Sequence, residues 1–364
     1  MNAKKIILSL LMAAFIVCLV VPALDAAGQK PQAKSKKPQS EERIFIPKEI
    51  KAALQEGMLT KQGRQDIPVT VFYNLFLPAQ ENLHAIFFLK IKNSGLGFSP
   101  VGSALAPETD NISGPALQEA VAQQPALFQA SFNVFLQFNI MEKGEPKSFR
   151  EVYVPSSAQI KGDTFDPEKE ETYTVGYPLP PGQYLLALAV TSLDLQKIGT
   201  AYYEFTLPDM SMAKELDTTP VFFVKQLDKM EAPETGTMLH QGYCTYSILK
   251  VVPNLEKMFA VGENLDIFYF IFGAQPNQEQ RFDIEVNYEV KKGEQTAIRW
   301  TPQMYNSPLV SQPLPLKQTV QIKTGEDVRT EQRDLEPGNY TLIIKIDDKV
   351  SGKSVTKTVD FEVK

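Results

Sequence analysis

Histidine, cysteine and tryptophan are nearly missing from this chain: its 364 residues hold two His, two Cys and one Trp. That leaves little from which to build a zinc or iron site of nitrogen and sulfur ligands, and no metal or cofactor is expected. Cys18 lies in the N-terminal apolar run, so a processed chain keeps only Cys244, cannot close an internal disulfide and must rely on a hydrophobic core. Excess positive charge is also absent. With 37 basic against 43 acidic residues the net charge is −6, so nucleic acid is not an expected partner. There is no Gly-x-Ser-x-Gly elbow, no phosphate-cradling glycine loop and no dinucleotide fingerprint. What remains is a globular composition, 43% hydrophobic and 22% charged, which excludes collagen, disulfide-scaffold and wholly disordered classes. At roughly 100–200 residues per domain, the length suggests two domains, each able to bury a core.

Residues 1–26 read as an export signal. Lys4 and Lys5 precede an uncharged, mostly apolar run over residues 6–21, which Pro22 ends before the small residues Ala23, Ala26 and Ala27. The run falls short of the ~20 residues that span a bilayer, and small residues stand where a peptidase would cut. The competing reading is an uncleaved signal anchor, the one way the chain would touch a membrane. Cleavage would remove two lysines and one aspartate, leaving 35 basic against 42 acidic residues. Residues 27–45 include GQKPQAKSKKPQSEER, which has no aliphatic side chain larger than Ala, and are expected to form a flexible linker. The expected location is therefore periplasmic, outer-envelope or extracellular.

A short helix is expected within residues 46–64, where Ile50, Leu54 and Met58 recur at i, i+4, i+8 behind Pro47. Nearly everything after it reads as strand. Aromatic and β-branched runs such as 69–77, 85–89 and 132–140 end at breakers such as Pro78 or Asn93-Ser94-Gly95. An internal repeat organises them. Leu179-Pro-Pro-Gly-Gln-Tyr184 returns as Leu335-Glu-Pro-Gly-Asn-Tyr340, and each tyrosine opens an apolar strand whose return strand reaches Phe205 or Phe361, 21 residues on in both copies. Upstream, the alternation from Phe132 to Ile140 matches that from Phe282 to Val290. Both runs stop at Lys-Gly-Glu turns, Lys143-Gly144-Glu145 and Lys292-Gly293-Glu294. The fold class expected is all-β: two tandem Ig-like antiparallel β-sandwiches at 65–212 and 213–364. The first carries an insertion, residues 100–129, with a helical piece over 116–124, which is either a recognition element or a surface loop.

The second copy adds Phe259-Ala-Val-Gly-Glu-Asn-Leu-Asp-Ile267 and ends on Phe361-Glu-Val363. With Leu335 to Tyr340, this stretch resembles the C-terminal Ig-like module of secreted bacterial proteins of the GWxTD type. The likeness covers about the last 150 residues and is one of strands and turns. The motif that names those proteins is absent, the only tryptophan being Trp300 in Arg-Trp-Thr-Pro. The resemblance implies an envelope-associated bacterial β-sandwich protein.

Three groups invite chemistry. His240 and Cys244 lie four apart, a spacing that on a single strand separates them by ~13 Å, too far for proton transfer, so a structural cysteine is expected. The acids Asp163, Asp166, Glu168, Glu170 and Glu171 lack the Asp/Asn alternation and glycine of a calcium loop and read as a solvated connection. Asn111 and Asn339 head Asn-x-Ser/Thr triplets, relevant only to a eukaryotic source. The runs 86–89, 221–224 and 267–272 are apolar on both faces, whereas an antiparallel sandwich normally wets one. Their second faces either pack on the other domain or the N-terminal helix, or form a docking surface for a partner. No catalytic, cofactor or metal residues are assigned. The function expected is a non-enzymatic binding or scaffolding role in the bacterial envelope, toward a protein or envelope polymer. The alternatives are a hydrolase or carbohydrate-binding accessory, and a membrane-anchored sensor or secretion partner.

Overall fold

The computed structural model describes residues 46–101, 127–210, 213–324 and 327–364. The expected signal, the linker, Asn111 and the helical piece at 116–124 lie outside the described residues. Strand dominates, with a helix α1 (Lys48–Met58) and a single turn α2 (Asn93–Leu96).

Sheet 1 runs β1 (Val69–Ala79), β2 (Asn82–Lys92), β6 (Glu170–Leu179), β11 (Leu239–Gln241). Sheet 2 centres on β4 (Leu127–Glu142), flanked by β5 (Glu145–Lys161) on one side and by β3 (Ser99–Val101) and β7 (Gly182–Ser192) on the other, with β8 (Ile198–Leu207) beyond β7. Their facing side chains make one core, including Phe87, Val175, Phe132, Phe138, Leu186 and Phe205.

The second half repeats the order. Sheet 3 runs β12 (Cys244–Tyr246), β13 (Leu249–Pro253), β10 (Phe222–Lys229), β15 (Asn264–Phe272), β19 (Leu309–Pro315), with β9 (Asp217–Thr218) on the end of β15. Sheet 4 runs β14 (Met258–Phe259), β23 (Lys353–Val363), β22 (Gly338–Asp348), β16 (Ile284–Lys292), β17 (Gln295–Arg299), with β18 (Gln303–Tyr305) also on β16. Thus β1-β2-β6 corresponds to β10-β15-β19, and β5-β4-β7-β8 to β17-β16-β22-β23.

The repeated Pro-Gly-x-Tyr turns serve one purpose twice. Tyr184 OH donates to Pro180 O at 2.8 Å and Tyr340 OH to Glu336 O at 2.7 Å, each closing the turn before its strand. Each ring stacks on the aromatic opposite it, Tyr184 on Phe205 at 5.3 Å and Tyr340 on Phe361 at 5.7 Å.

The Lys-Gly-Glu turns correspond less closely. Lys143 and Gly144, both with positive φ, form a two-residue loop between the paired residues Glu142 and Glu145, as a type I′ hairpin requires. In the second copy Lys292 pairs with Gln295, so the loop is Gly293-Glu294 with glycine first. The match of Phe132–Ile140 to Phe282–Val290 also moves by two residues. Val134 faces Val190 in the first half, and its counterpart facing Ile346 is Val286. A two-residue shift preserves the face of every side chain, so the alternation itself concealed it.

The outward polar positions of β4 differ from expectation. Asn133, Gln137 and Asn139 are buried. Helix α1 lies on that face, seating Ile46, Ile50, Ala53 and Leu54 against Phe135, Ala187, Ala189 and Ile198. Tyr202 OH donates to Leu54 O at 2.8 Å and Lys51 pairs with Glu151 at 2.9 Å, fixing the helix across the sheet. Asn139 answers its burial by donating to Leu185 O at 3.1 Å, and Asn133 by accepting from Tyr153 OH at 2.9 Å.

Candidate functional site

The doubly apolar runs meet one another. From sheet 1, Leu75, Leu77, Ile86 and Phe88 turn away from their own core and pack on Phe222, Val224, Val251 and Phe268 of sheet 3. Phe222 and Phe268 lie 5.3 Å apart within this layer. Tyr246 OH crosses it to donate to Pro78 O at 2.6 Å. Each large side chain so buried contributes about 1.5–3 kcal/mol relative to exposure, which explains why these strands carry aromatics on both faces.

The contact covers only part of β15. Phe268 is fully buried, but Phe270 and Phe272, two and four residues farther along the same face, are half-buried. They line a cleft of about 540 Å³ between the halves, closed on other sides by Met210, Phe282 and Pro308. The turn joining β1 to β2 supplies its polar rim, Gln80, Glu81 and Asn82. Here the chain's two structural needs conflict: β15 must be apolar to seal the layer, yet its last residues on that face, Phe270 and Phe272, are only half covered. The result is a concave, aromatic-lined site with a few polar groups at its mouth, sited where two units meet, as ligand sites commonly are.

A second cluster lies at the rim of the same layer. Residues 239–241 belong by sequence to the second half, yet β11 pairs with β6 and extends sheet 1. Gly242, at φ +76°, turns the chain out of sheet 1, and Cys244 enters sheet 3 in β12. His240 and Cys244 therefore do not share the single strand assumed from their spacing. The His240 ring is buried, lies tilted against Tyr243 with centroids 4.5 Å apart and places Nε2 2.9 Å from Glu234 Oε2. Glu234 also accepts from Thr245 Oγ1 at 3.0 Å, and Lys250 Nζ sits 4.2 Å from the Tyr243 ring centroid. Burial, together with the Lys250 charge, outweighs Glu234 and holds the imidazole below its ordinary pKa. Cys244 is buried in the layer and its thiol is pushed up to about 12 by loss of solvent, so it remains protonated and unreactive at neutral pH.

The carboxylates are occupied elsewhere. Glu168 pairs with Lys92 at 2.6 Å and Glu171 with Lys169 at 2.8 Å, while Asp166 Oδ1 accepts from the Glu168 backbone N–H at 2.8 Å. Among the described residues no three acids, histidines or cysteines converge as metal ligands would. The outer face of sheet 4 forms a polar recess of about 770 Å³ containing Glu285, Glu289 and Asp347. Glu285 accepts from Asn287 at 3.1 Å and pairs with Lys349 at 3.1 Å, and Glu289 pairs with Arg299 at 3.0 Å. Asp347 pairs with Lys345 at 3.1 Å and accepts from Ser354. These contacts hold all three carboxyls below their ordinary pKa, led by Asn287 for Glu285 and Thr296 for Glu289, with Ser354 and Lys345 overcoming burial for Asp347. A glycosidase acid requires the opposite, a carboxyl kept protonated near neutrality.

Among the described residues no helix is long and apolar enough to cross a membrane. No known protein-family profile matches the chain, and no curated protein matches it. Sequence reasoning found the doubly apolar strands but not the cleft. The cleft depends on where β15 runs past its partner sheet, and no local pattern encodes that.

Proposed function

We propose that this chain is an exported, non-enzymatic binding or scaffolding protein of the bacterial envelope, built from two Ig-like β-sandwiches in tandem. The observation that carries the binding reading is the cleft between the halves, where Phe270 and Phe272 stand half-open beside a layer that buries Phe88, Phe222 and Phe268. Aromatic side chains on a rigid strand offer large contact area with little ordering entropy, a common way to hold a protein or polymer segment. The Ig-like assignment is supported by the matching strand orders and by the two tyrosines that close their turns in the manner of a tyrosine corner. The resemblance to the GWxTD-type module points the same way, as does the signal-like N-terminus for export.

The test is site-specific crosslinking in the native envelope. A photoreactive residue at Gln80, on the cleft rim, is expected to give a discrete adduct that Phe272→Ser abolishes. The same residue at Thr356, on the outer face of sheet 4, is expected to give none. Identical adducts from both positions, or an adduct indifferent to Phe272→Ser, would remove the cleft from the account.

A further inference from the structure

Between β19 and β22 the chain forms a two-stranded hairpin, β20 (Lys317–Thr324) and β21 (Asp327–Asp334), that joins no other sheet. Residues 329–334 are exposed on both faces. A lone hairpin is at best marginally stable in water, and three or more strands are normally needed. Several other edges in this protein are guarded against pairing. β5 carries Pro146 and Pro155, β19 carries Pro313 and Pro315, and β11, β12 and β14 are only two or three residues long. By contrast β21 is eight residues long, without proline and without a break in its register with β20. It presents an open row of backbone donors and acceptors on its outer side.

The sequence of that edge is self-complementary. Arg329, Glu331 and Arg333 alternate along it. An antiparallel pairing of two copies centred on Thr330 sets Arg329 of each opposite Glu331 of the other. Moving the centre to residue 329 or 331 sets arginine against arginine. In the single chain Arg333 pairs with Glu331 on its own strand, at 3.1 Å.

We propose that β21 is a self-association edge, and that two copies of this chain join their hairpins into a four-stranded sheet about a two-fold axis through Thr330. A two-fold contact requires each surface to complement itself, and the charge order of β21 does so. The resulting sheet has the strand count that an isolated hairpin lacks.

Charge swaps test this by sedimentation of the full chain. Wild type is expected to dimerise with concentration. Arg329→Glu and Glu331→Arg are each expected to weaken the dimer by about tenfold or more, because each sets like charges directly opposite. The double variant Arg329→Glu/Glu331→Arg, and an equimolar mixture of the two single variants, are expected to restore it. A monomeric wild type overturns the proposal, as does a dimer insensitive to both single swaps or not rescued by the double swap. Association with a different protein that the swaps abolish, without any self-association, would likewise overturn it.

Discussion

Tyr184 and Tyr340 are each buried beside an aromatic partner, and each spends its hydroxyl on a carbonyl four residues back. The ring supplies packing and the hydroxyl fixes the turn, so Tyr→Phe separates the two roles. Removing either hydroxyl leaves a turn carbonyl without its donor and is expected to cost about 1 kcal/mol, at the middle of the range for a hydrogen bond in a protein. Urea unfolding of Tyr184→Phe and Tyr340→Phe measures it as a lower midpoint at unchanged slope. Equal losses in the two halves would follow from their equal geometry; no loss in either would mean the turns hold without the bond. A third hydroxyl chain satisfies the second core: Tyr269 OH lies 3.1 Å from Tyr288 OH, which lies 3.0 Å from Tyr305 OH. Tyr305 passes the chain out to Gln312 Oε1 at 3.2 Å.

At the scale of elements, β11 is the piece that sequence order assigns to one half and pairing assigns to the other. Its His240 reaches the rim of the inter-sheet layer, facing Glu234, Lys250 and the Tyr243 ring. His84, on β2, is likewise lowered by burial. A histidine whose folded pKa lies below its unfolded value takes up its proton more readily when unfolded. Stability from both residues is therefore full above the unfolded value near 6.5 and falls as pH drops through it. The slope is at most about 1.4 kcal/mol per pH unit for each proton. Denaturant titrations between pH 7.5 and about 5 are expected to show the decline, flattened in His240→Gln. A flat profile in wild type, or a slope untouched by His240→Gln, would contradict the burial argument. The repeats, the helix stripe and the doubly apolar strands were legible because each is a local periodicity or turn chemistry. Neither the β11 crossing nor the burial of Asn133, Gln137 and Asn139 was, since a neighbour distant in sequence imposes both.

For the whole molecule, the layers follow from which faces are apolar. Helix α1 covers sheet 2, sheets 2 and 1 share one core, sheets 1 and 3 share the layer around Phe88 and Phe268, and sheets 3 and 4 share the last core. Residues 44–364 group as one unit, with β11 tied into the first half and Tyr246 bonded to Pro78 across the layer. The two halves are therefore expected to unfold as one cooperative body, with the cleft as a fixed feature of their junction.

Trp300, the only tryptophan, packs against the second core and reports on that half alone, whereas far-ultraviolet circular dichroism reports on every strand. Leu54→Ala loosens α1 at the opposite outer layer and is expected to cost about 2–5 kcal/mol. The most direct measurement is urea unfolding of wild type and Leu54→Ala followed by both signals. Fusion requires the Trp300 transition to move to lower urea in the variant and to coincide with the circular dichroism in both proteins. A Trp300 transition that stays in place while part of the dichroism shifts would mean two independent domains, and the account of a rigid junction would be wrong.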